Sequence, residues 1–372
     1  MAWAKRTATD FKDCLQQIHD FVTKAFEAGV VTPNGGNVGT GIVYGASSSE
    51  NGVAETWTLT CTTPGGDGVA VFSVSGSVSG AQAAATSGVP YSIPEVSFTI
   101  LNGDVDWSTS NPDSFTFLVA ASTALWSVNE SDFVSAQEHI LLQGKGSGSD
   151  EISVGFRTQT NNTTYWNMEV SGFTGYDATK TYDNQPAKIS KYACMSSVSF
   201  DFYIFMSGRS IRVVPVIGGT NYESMYAGWF LPNATVSQYG YPMFIGGSAA
   251  TATQLISAIS VSAHICYWKW LVNALYTGTA WQSISKFAPL QYSDFDEWRY
   301  DLDGNRVLFP ATVLKADTIY GELEGVSYVT NSDSALTVED VLNTGTEAHI
   351  IFQDVTRVGN LNVAAFDLIG DL

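Results

Sequence analysis

The stretch Thr56-Trp57-Thr58-Leu59-Thr60-Cys61 alternates apolar and hydroxyl residues without a break, and no other feature constrains the fold as much. Side chains on a strand point to opposite faces in turn, so Trp57, Leu59 and Cys61 face inward and three threonines face outward. The same period returns at Val69–Val78, Val96–Leu101 and Phe115–Val119. Pro64-Gly65-Gly66-Asp67-Gly68, Ser87-Gly88-Val89-Pro90 and Asn111-Pro112-Asp113 punctuate these runs. Short strands with such turns predict an antiparallel sandwich of about 90 residues. Strands do not alternate with helices, which argues against a parallel sheet.

Ahead of this region the period is helical. Phe11, Cys14, Leu15, Ile18, Phe21, Val22, Ala25 and Phe26 fall on one face of a helix expected over 9–28. Thr9 is the expected cap, Asp10 and Asp13 suit the positive end of the dipole, and Gly29 stops the helix. Such a helix docks within its own chain or against a neighbouring subunit, and its mixed polar face does not favour a membrane.

Beyond the sandwich, Gly144–Asp150 reads as a linker, followed by strands at Ile152–Thr158, Tyr165–Val170, Val198–Met206 and Ile211–Ile217. Gly208-Arg209 is a hairpin turn. Residues 218–250, rich in Tyr, Gly and Pro, read as ordered loops carrying aromatic contacts, and Gln254–Trp270 reads as strand. After a polar aromatic bridge at Tyr292–Tyr300 come short strands at Arg306–Val313, Ile319–Val329, Ala348–Phe352 and Val363–Leu368. The expected organisation is a mainly β, multi-domain chain: a docking helix (1–29), a β-sandwich (30–143), a second β-rich domain (144–300) and a small C-terminal β domain (301–372).

Charge narrows the partners. The 372 residues carry 17 basic and 36 acidic side chains, a net charge of −19, yet charged residues are only 14% of the total. Nucleic-acid binding needs clustered Lys and Arg, and only Lys5-Arg6 are adjacent here, so sequence-specific nucleic acid is not an expected partner. Acidic membranes are disfavoured for the same reason, and no apolar run is long enough to span a bilayer. The beginning Met-Ala-Trp-Ala-Lys-Arg has no hydrophobic signal core, so synthesis without classical secretion is expected. A surface of hydroxyls and amides, rather than ion pairs, suits a protein whose copies pack against one another.

Reactive constellations are sparse. Cys14, Cys61, Cys194 and Cys266 are far apart with no CxxC pair, so the expectation is buried thiols without a metal. His19, His139, His264 and His349 are isolated from one another. Gly144-Lys145-Gly146-Ser147-Gly148 lacks the strand–turn–helix context of a serine elbow. Asp301-Leu302-Asp303-Gly304-Asn305 resembles the start of a calcium loop, but Arg306 and Thr312 stand where glycine and a carboxylate are required. Gly35–Gly41 lacks the phosphate-binding lysine, and Glu322/Glu324 share one strand face without a partner cleft. No catalytic residue, metal site or cofactor is expected. Aromatic residues, including ten Trp and 17 Tyr, cluster at Tyr222–Trp229 and Tyr239–Phe244 and suit subunit anchors or sugar contacts.

Several segments carry a resemblance. Trp57–Cys61, Val71–Ser77, Ser97–Ile100, Asn184-Gln185-Pro186, Gly208–Val214 and Tyr241–Ser248 resemble a module of structural virion proteins of tailed bacteriophages. Leu308–Thr312 followed by Tyr320–Val326 is similar to the C-terminal part of the same family. The resemblance implies a non-enzymatic virion component, made in the host bacterial cytoplasm and present in many copies at the neck or collar, tail or baseplate. Its implied partners are further copies of itself and portal, neck or tail proteins. The alternative is a tail fibre or appendage that binds a receptor or a host-surface glycan. On either reading, Phe11, Leu15, Ile18, Phe21, Val22, Phe26, Tyr226, Trp229, Tyr239 and Tyr241 are the candidate subunit-interface residues.

Overall fold

A computed structural model describes residues 2–23, 26–48, 53–121, 124–145, 151–219, 221–235, 242–249, 251–255, 273–282, 286–288, 308–315, 318–329, 339, 341–343, 348–353 and 363–368. The fold is mainly β and antiparallel, with one α-helix, near the N-terminus, among the described residues.

The alternating segments form the sandwich. Glu55–Thr63 lies between Ser114–Ala121 and Val71–Gly76, and the sheet extends to Phe26–Ala28 on one side and Gly80–Ala81 on the other. Trp57, Leu59, Phe72, Val74, Phe115 and Phe117 from this sheet meet Tyr91, Val96, Phe98 and Ile100 of a second, three-stranded sheet. Trp107 closes the core edge-on against Phe72 and Phe115. In Val96–Leu101 every residue is buried, polar ones included, because its second face is also covered. That cover is the N-terminal strand Ala2–Ala8: the Trp3 backbone N–H donates to Ser47 Oγ and its indole to the Gly45 carbonyl.

That strand was not expected. Lys5 and Arg6 interrupt the apolar pattern, yet Ala2–Ala8 pairs along its length with Phe200–Met206. It begins a fourteen-stranded sheet among the described residues. The main path continues through Ser210–Ile217, Met225–Pro232, Thr318–Val329, Val363–Asp367, Ala348–Gln353 and Val341–Asn343. The C-terminal strands therefore belong to the same sheet as the central ones. Residues 218–250, expected as loops, contribute the strands Met225–Pro232 and Met243–Gly247. These strands are apolar on both faces, so no alternation marks them.

A five-stranded meander runs Trp126–Asp132, His139–Lys145, Glu151–Thr160, Trp166–Phe173 and Ile189–Cys194. Lys145 pairs with Glu151, so Gly144–Asp150 joins two strands of one sheet and the expected boundary at 143/144 falls inside it. The inner face of the meander, with Ile140, Leu142, Val154, Phe156, Met168 and Val170, packs on the large sheet.

The helix Phe11–Val22 closes this second core, burying Phe11, Cys14, Leu15, Ile18, Phe21 and Val22. Burying each Phe, Leu, Ile or Val contributes about 1.5–3 kcal/mol. Asp10, not Thr9, is the cap: its Oδ1 accepts from the backbone N–H of Lys12 and of Asp13, each at 2.9 Å. Thr9 supports the turn from outside, donating through its N–H and hydroxyl to Asp13. The helix ends at Val22, with Thr23 as its C-cap, and Phe26–Ala28 is already strand, so the expected continuation to Ala28 is corrected.

Meander and large sheet are also joined through a buried carboxylate. Glu223 accepts from the Cys194 N–H at 3.2 Å and from the Ser248 hydroxyl, while the Ala249 N–H donates to the Tyr192 carbonyl.

Candidate functional site

Among the described residues, the densest cluster of ionisable side chains lies on the outer face of the meander. Strand register sets Asp132, His139, Arg157, Glu169 and Tyr192 in one row, with Glu130, Leu141, Gly155, Ser171 and Ser190 in the next. Glu169 is fully buried, and burial pushes its carboxyl up. Lys188 and Arg157 beside it more than offset that and hold it below the usual range. Oε2 accepts from Arg157 Nε and Nη2 at 2.9 and 2.7 Å and from Gln159 at 2.7 Å. On Oε1 converge Lys188 Nζ at 2.7 Å and the hydroxyls of Ser171 and Ser190.

A flap from Thr174 to Lys188 covers this row. Gln185 ties it internally, accepting from the Asp177 N–H and donating to the carbonyls of Asp177 and Lys180. From the short 3-10 turn Tyr182–Asn184, Asp183 reaches Arg157 Nη1 at 2.9 Å and Lys188 Nζ at 2.7 Å. The hydrogen bond from Arg157 is the main cause of an Asp183 carboxyl held far below its ordinary value. The Tyr182 ring stacks under both cations, 4.6 Å from the Arg157 guanidinium carbon and 4.5 Å from Lys188 Nζ. Gly155 makes room for it: a Cβ there would stand 2.8 Å from the Tyr182 hydroxyl. His139 packs edge-on against the same ring and lies 3.0 Å from Glu130.

Two cations and two carboxylates balance, and the buried Glu169 is saturated with donors. Such a cluster fixes a flap onto a sheet, with Arg157, Glu169 and Asp183 each shifted towards the charged form. The sequence does signal it, since Arg157 and Gln159 alternate with Phe156 and Thr158, and Glu169 and Ser171 with Met168 and Val170. Sequence reasoning missed the pairing because the flap residues Tyr182, Asp183 and Lys188 lie outside any strand period.

The candidate interface residues lie elsewhere. Phe11, Leu15, Ile18, Phe21, Val22, Tyr226 and Trp229 are all in the protein's own core, at most 4% exposed. This corrects their reading as subunit anchors: their apolar surface is already covered within the chain. Tyr226 donates its hydroxyl to the Trp229 carbonyl. Phe26 sits in a strand opposite Ala121, and Tyr239 and Tyr241 lie outside the described residues.

The remaining constellations resolve as structural elements where they are described. Backbone N–H groups of Val38 and Gly39, in the Gly35–Gly41 loop, donate to the buried Asp113 carboxylate. Glu324 accepts from the hydroxyls of Ser207 and Ser210. Cys14, Cys61 and Cys194 are buried free thiols, and burial raises each of them. His19 contacts Asp20 at 2.8 Å, and His349 is buried. Cys266, His264, the segment Asp301–Asn305 and all but the start of Gln254–Trp270 lie outside the described residues. Among the described residues no group of three or more His, Cys, Asp or Glu is gathered to hold a metal. No described helix is long and apolar enough to cross a membrane.

A cleft of about 460 Å³ opens beside the N-terminal strand, between Lys5, Arg6, Gln17 and the Pro90–Pro94 loop. Its donors already have acceptors: Lys5 Nζ contacts Glu339 at 2.9 Å, and Arg6 Nη1 reaches Ser92 Oγ and the Ile93 carbonyl. No protein-family model matches the sequence, and a comparison with curated proteins finds no match.

Proposed function

We propose that the chain is a non-enzymatic structural component of a tailed-phage virion, assembling in symmetric copies at the head–tail neck or collar or in the tail. Its partners on this reading are further copies of itself and neighbouring portal, neck or tail proteins. The observation that carries the reading is how the polar chemistry is used. Glu169, Asp183, Glu223, Glu324 and Asp113 each hold one segment of backbone to another, the arrangement expected of a scaffold that transmits load. The segments that resemble the virion family, Trp57–Cys61, Val71–Ser77 and Gly208–Val214, fall on strands and turns of this scaffold.

The appendage alternative drew on aromatic loops. Tyr222, Tyr226, Trp229 and Phe244 are buried and not presented to a sugar, whereas Tyr239 and Tyr241 lie outside the described residues. Light scattering on the purified chain, with electron micrographs of the same peak, tests the proposal. A closed ring is the expected result. A compact trimer that binds glycans on an array would overturn it in favour of the appendage.

A further inference from the structure

The sequence has three Asn-Gly steps, Asn34–Gly35, Asn51–Gly52 and Asn102–Gly103, of which the second lies outside the described residues. Glycine after asparagine leaves the main-chain nitrogen between them unshielded by a side chain. The fold treats the other two steps differently.

Asn34 opens a turn at the edge of the sandwich, closed by the Asn37 N–H donating to the Asn34 carbonyl at 3.1 Å. Its side chain bends forward along the chain, where Oδ1 accepts from the Gly36 N–H at 3.0 Å. The ring closed by that hydrogen bond contains both Asn34 Cγ and the Gly35 nitrogen. The Asn34 N–H donates to the Ser114 carbonyl at 2.9 Å, and Asn111 Nδ2 donates to the Gly36 carbonyl at 2.7 Å, so the turn is held on both sides of Gly35. Gly35 itself is bare. Thr32–Gly36 are exposed, and a Cβ on Gly35 would meet no atom within 4 Å. Among the described residues no acceptor engages the Gly35 N–H, which leaves it to water.

Asn102 is tethered away from its glycine. Its Nδ2 donates to Asp106 Oδ1 at 2.7 Å, and its N–H donates to Asp67 Oδ1 at 2.8 Å. Gly103 packs on Thr40, where a Cβ would stand 2.5 Å from the hydroxyl oxygen and 2.6 Å from the carbonyl oxygen. Ring closure there has to break the contact with Asp106 and push against Thr40.

We propose that Asn34–Gly35 is a self-modification site, at which the fold presents a side-chain amide to the next main-chain nitrogen. The Gly35 nitrogen attacks Asn34 Cγ and the new C–N bond closes a cyclic imide. The Cγ–Nδ2 bond breaks, and the Gly35 proton leaves with the amide as ammonia. The Gly36 N–H, already on Oδ1, stays with that oxygen as negative charge builds on it. Water then opens the imide at either carbonyl, giving aspartate or isoaspartate, and no other reactant is consumed. Holding the two atoms in one closed turn replaces a search through chain conformations. Either product adds a carboxylate, and isoaspartate also adds a methylene to the main chain. Both changes fall in the turn that follows Thr32–Pro33, the short strand paired with Phe115 and Thr116, so the aged chain is expected to loosen at this edge. The site acts whatever the chain assembles into.

Peptide mapping by mass spectrometry, with isoaspartate counted by enzymatic methylation, tests this on the full folded chain aged in warm, mildly alkaline buffer. Asn34 is expected to convert at least about tenfold faster than Asn102. In urea, where only local sequence remains, the two rates should converge. Gly35→Ala, which the open space around Gly35 tolerates, should slow conversion at Asn34 at least about tenfold without moving the unfolding midpoint. Equal conversion of Asn34 and Asn102 in the folded chain overturns the proposal. So does an Asn34 that keeps its amide while the urea-unfolded chain loses it, or a Gly35→Ala variant that converts as fast as wild type. A difference that persists in urea would trace to the neighbouring residues in sequence and overturn the role assigned to the fold.

Discussion

Arg157 and Glu169 stand directly opposite each other on neighbouring strands, and two guanidinium nitrogens close on one carboxylate oxygen. Both partners are buried, and removing Glu169 leaves Arg157 and Lys188 with the exposed Asp183 as their remaining carboxylate partner. Glu169→Gln is therefore expected to cost about 3–5 kcal/mol, read by urea unfolding. Asp183→Asn breaks contacts to the same cations from a carboxylate that is 62% exposed and should cost less than about 1 kcal/mol. Equal losses in the two variants would contradict this division between buried anchor and exposed partner.

Stability should fall towards both ends of the acidic range, for opposite reasons. The Glu169 carboxyl is held low, so its contribution is present above the unfolded value near about 4.3 and is lost as pH falls through its lower folded value. Burial lifts Glu223 to about 7, against the hydrogen bonds from Ser248 and Cys194. The folded state then holds a proton that the unfolded state has released, and stability declines as pH rises from about 4.3 towards 7. Glu223→Gln should flatten that decline and stabilise the protein above neutral pH, by on the order of 3 kcal/mol. Unfolding midpoints across the pH range distinguish the two slopes; a variant with the wild-type slope would remove Glu223 as its source.

Gly155→Ala places a methyl 2.8 Å from the Tyr182 hydroxyl and 3.0 Å from Leu141 Cδ2. The ring must lift, taking Asp183 and the flap with it, at a cost of about 1–3 kcal/mol. Limited proteolysis should show earlier cleavage within 174–188, whereas wild-type resistance would mean the ring has room to yield.

Asp10→Ala deprives two backbone N–H groups of their acceptor and should cost about 1 kcal/mol by thermal unfolding. Thr9→Ala removes one exposed hydroxyl contact to Asp13 and should cost less. The reverse order would return the cap to Thr9.

Much of the fold is legible where one strand face is wet. Trp57, Leu59 and Cys61 are buried and Thr56 and Thr58 exposed, as alternation requires, because that sheet is solvated on its outer side. The C-terminal strands at Leu308–Lys315, Thr318–Val329, Ala348–Gln353 and Val363–Asp367 are likewise legible. Alternation vanishes where both faces are covered, so Tyr226 and Trp229 read as loop aromatics although they lie in a central strand. The N-terminal strand was hidden for another reason: its partner is some 200 positions away, and Lys5 and Arg6 find acceptors in Glu339 and Ser92 only after folding. The ion cluster was half legible, through Arg157 and Glu169 in alternating strands. Its other half sits on a flap whose position no period encodes.

The pairing of Ala2–Ala8 with Phe200–Met206 also sets a schedule for synthesis. At about 5–20 residues per second, the first strand leaves the ribosome some 10–40 s before its partner exists. During that interval Trp3 and the apolar side of the following helix have no core to enter. The sandwich strands, all within the first third of the chain, can close meanwhile, and Gly45 and Ser47 offer Trp3 a provisional seat. On this schedule the N-terminal segment is expected to close late, and slowing translation after residue 121 should prolong its exposure to proteases until Phe200–Met206 has been made.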